Sequence, residues 1–330
     1  MLDLSAAFDT IDHQKLIDRL SATYGVTGVP LNWFKSYLSD RSQSFRIGHF
    51  ISDKNYLHFG VPQGSVLGPL LFTLYMSPVC DIATSYGINS MFYADDFQLY
   101  VTVNPKVNTN TAMSKLEKCI DDIKIWMERN FLKLNDSKTE FITFGSKVNL
   151  SNVSVSSITV GNCKIPITST VRNLGVMMDS LLNMDNFVKA KARSINMNLR
   201  KCSRIRKYLT HDACRSLVQA TVQSRLDYCS SFLYGINRQN ISHLLRIQNS
   251  AARLIYRLPS DEHSSGLKLH KLQRIEFRIL TYVYKCLHNS APLYLSELLP
   301  LASIKRNLRS SSNLYLVQTR TFSKVGDRVF

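Results

Sequence analysis

Apolar residues recur every three to four positions in several segments of the first half of the chain, which is the spacing of an amphipathic helix. This spacing predicts helices after Asp9, over residues 31–38, between Ser65 and Pro78, and over residues 111–130. In the third of these, Pro69 falls in the first turn, where its missing N–H costs little. We expect Pro78 to end that helix.

Strand signals alternate with these helices. Residues 43–59 alternate between polar and apolar in a way that predicts an exposed hairpin, and a second hairpin is predicted over residues 158–167. Short strands are predicted at 91–92, 98–101 and 141–144. This order of elements predicts an α+β fold with helices on one face of an antiparallel sheet.

The second half of the chain has a different pattern. From residue 186 onward the strand signals nearly vanish, and the period predicts helices over residues 186–207, 211–233, 238–257 and 268–288. We therefore predict two domains, residues 1–180 and residues 181–330, in a chain of 330 residues that is long enough to bury a sizeable core.

Net charge separates the same two halves. Residues 1–180 hold 16 Lys and Arg and 16 Asp and Glu, so the remaining 25 basic and 8 acidic residues carry the whole net charge of +17. A basic half predicts a polyanionic partner, and the lack of an aromatic amphipathic anchor favours nucleic acid over a membrane. The candidates for contact with a nucleic-acid backbone are Arg246, Arg253, Arg257, Lys271, Arg274 and Arg278.

These basic residues are predicted to form stripes along two helices, with offsets of 7 and 11 from Arg246 in the first. For any single stripe, a solvated helix face is the usual alternative. The chain shows no signal-peptide pattern, and its longest apolar run is too short to span a bilayer. Its seven cysteines lack metal-binding spacing. We therefore expect no membrane partner and a cytoplasmic or nuclear location.

Two adjacent carboxylates stand out within Phe92–Asp96, and a third, Asp3, lies 92 positions before Asp95. An Asp pair between two strands, with a third Asp on a neighbouring strand, is the donor set that a pair of magnesium ions needs for in-line attack on a phosphate. Taken alone, an Asp pair in a hairpin is ordinary turn chemistry.

The order of several segments gives the carboxylates a context. These segments are Asp3 to Phe8, Gly60 to Ser65, Tyr93 to Asp96, Leu134 to Thr139 and Asn173 to Gly175. Together they resemble the palm of reverse transcriptases, specifically those of non-long-terminal-repeat (LINE-type, jockey-like) retrotransposons. Residues 219–234 and 246–253 resemble the region that follows the palm in such elements, so the resemblance covers nearly the whole chain.

The resemblance implies an RNA-directed DNA polymerase whose palm is followed by a mostly helical, basic thumb. It implies that Asp3, Asp95 and Asp96 bind two Mg²⁺ ions, with Mn²⁺ as an alternative metal. The implied partners are a template RNA, a DNA primer and deoxynucleoside triphosphates. Three carboxylates this close would raise one another's pKa unless cations neutralise them.

Further roles follow from the same resemblance. Phe8 resembles a steric gate against a ribose 2′-hydroxyl, although packing at a strand end explains it equally well. Pro62, Gln63 and Gly64 resemble the segment that contacts template and incoming nucleotide, the alternative being a helix-entry turn.

Lys138 resembles a lysine that protonates or neutralises the leaving pyrophosphate, and a solvated surface lysine is the alternative. Leu174 and Gly175 resemble the hairpin that grips the primer end, where a plain β-turn is the alternative.

The resemblance also implies segments before Asp3, namely fingers and an upstream endonuclease, while only Met1 and Leu2 precede it. We therefore expect a fragment that polymerises weakly or not at all alone. The alternative function is a non-catalytic nucleic-acid-binding module that uses residues 181–330. An RNA-templated RNA polymerase would use similar carboxylates, but Phe8 beside the Tyr93–Asp96 motif argues against it.

Overall fold

The computed structural model describes residues 1–105, 107, 109–259, 271–299 and 316–317, and only the backbone of residues 271–274. The helices are α1 His13–Ala22, α2 Gly28–Leu38, α3 Gly68–Met76, α4 Pro78–Ser85, α5 Thr109–Arg129, α6 Lys147–Ser151, α7 Asp185–Ile205, α8 His211–Val218, α9 Ser224–Asp227, α10 Arg238–Tyr256, α11 Lys271–Leu287 and α12 Leu293–Ser296. The strands are β1 Leu4–Ser5, β2 Ser42–Gln43, β3 Arg46–Ile47, β4 Phe50–Ile51, β5 Asn55–Tyr56, β6 Asn89–Tyr93, β7 Asp96–Tyr100, β8 Lys133–Leu134, β9 Phe141–Ile142, β10 Ser157–Val160, β11 Cys163–Thr168, β12 Thr170–Asn173 and β13 Val176–Asp179.

The chain divides into two compact units, Met1–Ser169 and Thr170–Phe330. The mixture of helices and small sheets in the first unit agrees with the predicted α+β class. The predicted domain boundary after residue 180 stays a prediction. The boundary between the two compact units lies before the hairpin β12–β13, which therefore belongs to the second unit.

The N-terminal segment lies between two strands of the first unit. Leu2 pairs with Phe97 of β7 through two backbone hydrogen bonds of 2.8 and 3.4 Å, and Leu4 of β1 pairs with Leu134 of β8. Since β7 also pairs with β6, the segment joins the β6–β7 hairpin to β8. Leu2, Leu4 and Phe97 are buried, so the apolar residues on either side of Asp3 anchor it to the core.

One strand pairing differs from the predicted antiparallel sheet. Strand β11 pairs antiparallel with β10 but parallel with β9, where Ile167 lies opposite Phe141. The chain reaches β11 from β9 only after α6 and β10, and this crossover allows the parallel direction. The alternating pattern therefore predicted the hairpin β10–β11 correctly, but it could not give the direction of β9, the strand on the other side of β11.

Helices α1, α3, α4 and α5 supply most of the core of the first unit. Each presents its apolar stripe inward, and the largest fully buried side chains there include Phe72, Tyr75, Ile123 and Met127. The predicted end of α3 before Pro78 is confirmed. Pro78 also begins α4, because proline, which lacks an N–H, suits the first position of a helix. The sequence pattern had not predicted this second helix.

The second unit is built on helices packed around their own core, with the hairpin β12–β13 against α7. The helix predicted over residues 211–233 continues, with a π-helical interruption, only as far as Asp227. After α8 the chain forms a π-helical turn at Gln219–Gln223, α9 ends at Asp227, and Cys229 has a left-handed φ of 47°. The described residues include no helix that is long and apolar enough to cross a membrane.

Lys191 of α7 contacts the backbone at this break in the helix. Its Nζ donates to the carbonyls of Tyr228 at 2.7 Å and Leu226 at 3.5 Å, and lies 4.7 Å from the centre of the Phe187 ring. Burial lowers the pKa of Lys191 from its ordinary 10.5 to about 8, against the opposing effect of Cys229. The lysine thus donates to two carbonyls at the point where the α-helix ends.

We expect this lysine to make stability rise with pH. Between pH 8 and 10.5 the unfolded chain keeps the proton that the folded chain has released, so the free energy of unfolding increases as the pH rises through that window. Relative to Lys191→Met, the wild type should gain roughly 1.5 kcal/mol between pH 8 and about pH 9.5 in urea denaturation. Parallel pH profiles of the two proteins would contradict the expectation.

Candidate active site

Two of the three predicted carboxylates lie opposite each other across paired strands. The bridge between Leu2 and Phe97 sets an antiparallel register, so one step further along the ladder Asp3 lies opposite Asp96. Directly opposed residues point to the same face, with Cβ atoms about 4.5–5.5 Å apart. Asp95 is exposed in the two-residue turn that links β6 to β7, next to Ala94 with a φ of 53°.

The electrostatics of Asp96 report this proximity. Partial burial raises the pKa of Asp96, and the negative charges of Asp95 and Asp3 raise it further. Asp96 therefore interacts electrostatically with both of the other carboxylates that the sequence singled out.

Asp3 contacts β8 through its backbone and the turn after β8 through its side chain. The N–H of Asn135 donates to the carbonyl of Asp3 at 2.8 Å, and Asp136–Lys138 then forms one 3₁₀ turn. This turn brings Lys138 Nζ to 3.5 Å from Oδ2 of Asp3, although most of the lysine side chain stays exposed. The predicted Lys138 is thus a neighbour of Asp3.

The donor set suits a divalent cation. Oδ2 of Asp3 is inaccessible to solvent and makes no hydrogen bond, so its lone pairs are available apart from the ion pair with Lys138. Carboxylate oxygens are the ligands that Mg²⁺ prefers. Within the described ranges, however, no three His, Cys, Asp or Glu side chains are arranged as a ready metal-binding group. The carboxylates are near one another without forming a closed ligand set.

Phe8 lies in the turn after β1 and is half-buried. Its ring stacks on Phe72 of α3 with centroids 4.8 Å apart and planes at 29°. The packing interpretation of Phe8 is therefore correct, and it is compatible with a gate because the ring is held from one side.

The segment Pro62–Gly64 begins next to Phe8. The N–H of Val61 donates to the carbonyl of Phe8 at 2.8 Å, so the loop is joined to the turn that carries the ring. Gln63 and Gly64 are exposed, while Ser65 Oγ donates to the carbonyl of Pro62 at 2.7 Å and closes the turn into α3. The structure thus brings together Phe8 and the segment predicted to contact nucleotide.

Leu174 and Gly175 form the tip of the hairpin β12–β13 in the second unit, with φ values of 45° and 80°. The hydroxyl of Tyr228 donates to the carbonyl of Leu174 at 2.5 Å and lies under Gly175. Sequence reasoning missed this tyrosine as a functional candidate, because its position depends on the broken helix after α9.

The predicted basic stripes are only partly formed. Arg246 is exposed on α10 and Arg253 is half-buried, but Arg257 lies beyond the last helical residue with a left-handed φ of 54°, so it does not continue their face. Arg278 donates from Nη1 to the carbonyl of Asp227 at 2.7 Å. The side chains of Lys271 and Arg274 lie outside the described residues.

A more regular basic face lies on α7. Lys189, Arg193, Arg200 and Arg204 are all exposed, and their offsets of 4, 11 and 15 confine them to about 60° of the helix surface. Their spacing was visible in the sequence, and helical phase analysis over residues 185–205 would have found them.

Comparisons with known proteins identify the family. Residues 1–178 match the reverse transcriptase (RNA-dependent DNA polymerase) family. A probable RNA-directed DNA polymerase from transposon BS of Drosophila melanogaster is 28% identical over 286 residues, which is 82% of this chain and 30% of that protein. The RNA-directed DNA polymerase from mobile element jockey of Drosophila funebris is 23% identical over 265 residues, 78% of this chain and 28% of that protein.

A third relative, the probable RNA-directed DNA polymerase from transposon X-element of Drosophila melanogaster, is 29% identical over 57% of this chain and 20% of its own length. The chain thus spans less than a third of each of these relatives. The family match covers more than half of the chain and confirms the resemblance that its motifs indicated. The chain belongs to the reverse transcriptase family of RNA-directed DNA polymerases, with relatives in non-long-terminal-repeat retrotransposons.

Proposed function

We propose that the first unit carries a nucleotidyl-transfer site in which Asp3, Asp95 and Asp96 hold two Mg²⁺ ions. The observation that carries the proposal is the cross-strand pair of Asp3 and Asp96, with Oδ2 of Asp3 buried and lacking a hydrogen bond. The family uses divalent metal ions and binds template nucleic acid and deoxynucleoside triphosphates. When bound, such ions supply activation of the attacking hydroxyl and charge stabilisation at the phosphate.

Other residues of the chain have separate tasks in this proposal. Lys138, exposed beside Asp3, provides positive charge toward the leaving pyrophosphate. Phe8 closes the space beside the sugar at carbon 2′, and Gln63 and Gly64 contact the template and the incoming nucleotide. We propose that the substrates are an RNA template and a DNA primer.

The second unit provides contacts to nucleic acid in this proposal. The tip at Leu174 and Gly175 contacts the primer end. Exposed basic side chains, Arg246 among them, contact phosphates of the template–primer duplex, together with the basic face of α7. Because phosphate contacts release counterions, binding should weaken steeply as salt rises.

The proposal predicts how magnesium affects thermal stability. Magnesium should raise the melting temperature of the wild type, since an ion that binds only the folded chain stabilises it, and should have little effect on Asp96→Asn. Without magnesium, Asp96→Asn should be as stable as the wild type or more stable, because the substitution relieves the repulsion that raises the pKa of Asp96. Asp53→Asn, in the exposed β4–β5 connection, is the control.

Primer extension tests the reaction itself. Magnesium-dependent extension of a DNA primer on an RNA template should be abolished by Asp95→Ala and retained by Asp53→Asn. The same assay measures the expected weak activity of this chain alone. A wild type whose melting temperature does not respond to magnesium, or extension that survives Asp95→Ala, would overturn the proposed site.

A further inference from the structure

We propose that His13 is a positioning residue that fixes the separation between Phe8 and the Pro62–Gly64 segment, and thereby sets discrimination against ribonucleotides. The sugar-selection part rests on the proposed function, whereas the positioning part does not. Nε2 of His13 lies 2.7 Å from the carbonyl oxygen of Gly60. Because a carbonyl only accepts, Nε2 must carry the proton and donate.

The ring of His13 is well placed to hold a neighbour still. His13 is the first residue of α1, half-buried, and follows the N-cap Asp12, whose side chain accepts from the N–H of Lys15 at 2.7 Å. The apolar stripe of α1, with Leu16 and Leu20 fully buried, fixes the helix on the core. The imidazole therefore projects from a rigid element.

The peptide group that His13 contacts is clamped at both ends. The carbonyl of Gly60 accepts from His13, and the N–H of Val61 in the same peptide plane donates to the carbonyl of Phe8 at 2.8 Å. Rotation of this plane would break both bonds together. On the other side of Gly60, its own N–H donates to the carbonyl of Ile11 at 2.7 Å.

This clamp controls the remaining freedom of the gate. The Phe8 ring already stacks on Phe72, which follows the loop in α3, so the ring cannot retreat into the core. What can vary is the distance between the backbone that carries Phe8 and the loop that begins at Val61. The hydrogen bond from Val61 to Phe8 spans that distance, and His13 supports it by fixing the peptide plane that carries the Val61 N–H. Loss of His13 would therefore let the two backbone segments move apart.

Hydrogen exchange of the Val61 amide tests the positioning part without any nucleotide. Exchange should accelerate about three- to tenfold in His13→Ala, the change expected for one lost hydrogen bond, and return toward the wild-type rate in His13→Gln, which keeps a donor. His49→Ala, in the exposed β3–β4 turn, is the matched control. Unchanged Val61 exchange in His13→Ala would overturn the proposal.

Nucleotide selection is measured on the same variants. The ratio of kcat/KM for a deoxynucleotide to that for the matching ribonucleotide should fall about three- to tenfold in His13→Ala and recover in His13→Gln. Equal loss of both substrates would show a merely structural role. If the wild type extends no primer, the sugar-selection part fails with the activity that it requires. The magnesium response of the melting temperature still decides the proposed metal site, and Val61 exchange still decides whether His13 positions the loop.

Discussion

Replacement of Arg206 by alanine is expected to lower the free energy of unfolding by about 3–5 kcal/mol. Arg206 follows α7 and is buried, and its guanidinium donates to the carbonyls of Leu254, Ile255 and Leu209 at 2.8–2.9 Å. Two of these carbonyls belong to the last turn of α10, which ends at Tyr256. Helix-terminal carbonyls lack partners within the helix and carry partial negative charge, so a buried cation suits them well.

Truncation of Arg206 would leave these carbonyls without partners in a buried place and would also open a cavity. The measurement is urea denaturation of the full chain, with the midpoint and slope fitted separately. Arg204→Ala is the matched control, since Arg204 is exposed on the same helix end and should change stability by less than about 0.5 kcal/mol. Similar stabilities for the two variants would show that the hydrogen bonds of Arg206 to α10 do not stabilise the fold.

Helices with a long apolar stripe were predictable from the sequence, and the reason is packing. The predicted helix over residues 111–130 corresponds to α5, Thr109–Arg129, because Leu116, Cys119, Ile120, Ile123 and Met127 all face one core. The predicted hairpins over residues 43–59 and 158–167 also formed, since alternation and turn residues act locally.

Elements that depend on one distant side chain were not predictable. At the break after α9, Lys191 donates to two carbonyls that lie 35 and 37 positions later in the chain. Periodicity reports which face of a helix is apolar and not where a cationic side chain of another helix donates to backbone carbonyls. The same limit applies to Arg206, whose partners on α10 lie about 50 positions away.

In the candidate site, too, the choice of residues was predictable from the sequence and their spatial arrangement was not. Motif order indicated which carboxylates matter, but the opposition of Asp3 and Asp96 follows from a register set by Leu2 and Phe97, which no local pattern specifies. Lys138 was chosen by resemblance, and its ion pair with Asp3 depends on the 3₁₀ turn after β8. Conversely, the prediction that Arg257 lies on the same helix face as Arg246 and Arg253 was wrong, because α10 ends one residue before Arg257.

Gly60→Ala is expected to lower the free energy of unfolding by about 3 kcal/mol, because two costs combine at this position. The φ of Gly60 is +88°, a conformation that side chains with a Cβ disfavour. A Cβ there would lie 3.0 Å from the Cα of Asp9 and from the carbonyl oxygens of Asp9 and Phe8. These are backbone atoms of a bonded turn, in which Phe8 also accepts from Val61, so they cannot move aside cheaply.

Gly25→Ala separates the two costs. Gly25 has a φ of +66°, and nothing lies within 4 Å of a Cβ added there, so alanine carries only the conformational penalty of about 1–2 kcal/mol. Urea denaturation should therefore find Gly60→Ala clearly less stable than Gly25→Ala, and the Val61 amide should lose protection only in the former. Equal losses in the two variants would mean that the turn at Phe8 yields to a methyl group, and that the backbone around the gate is softer than its hydrogen bonds indicate.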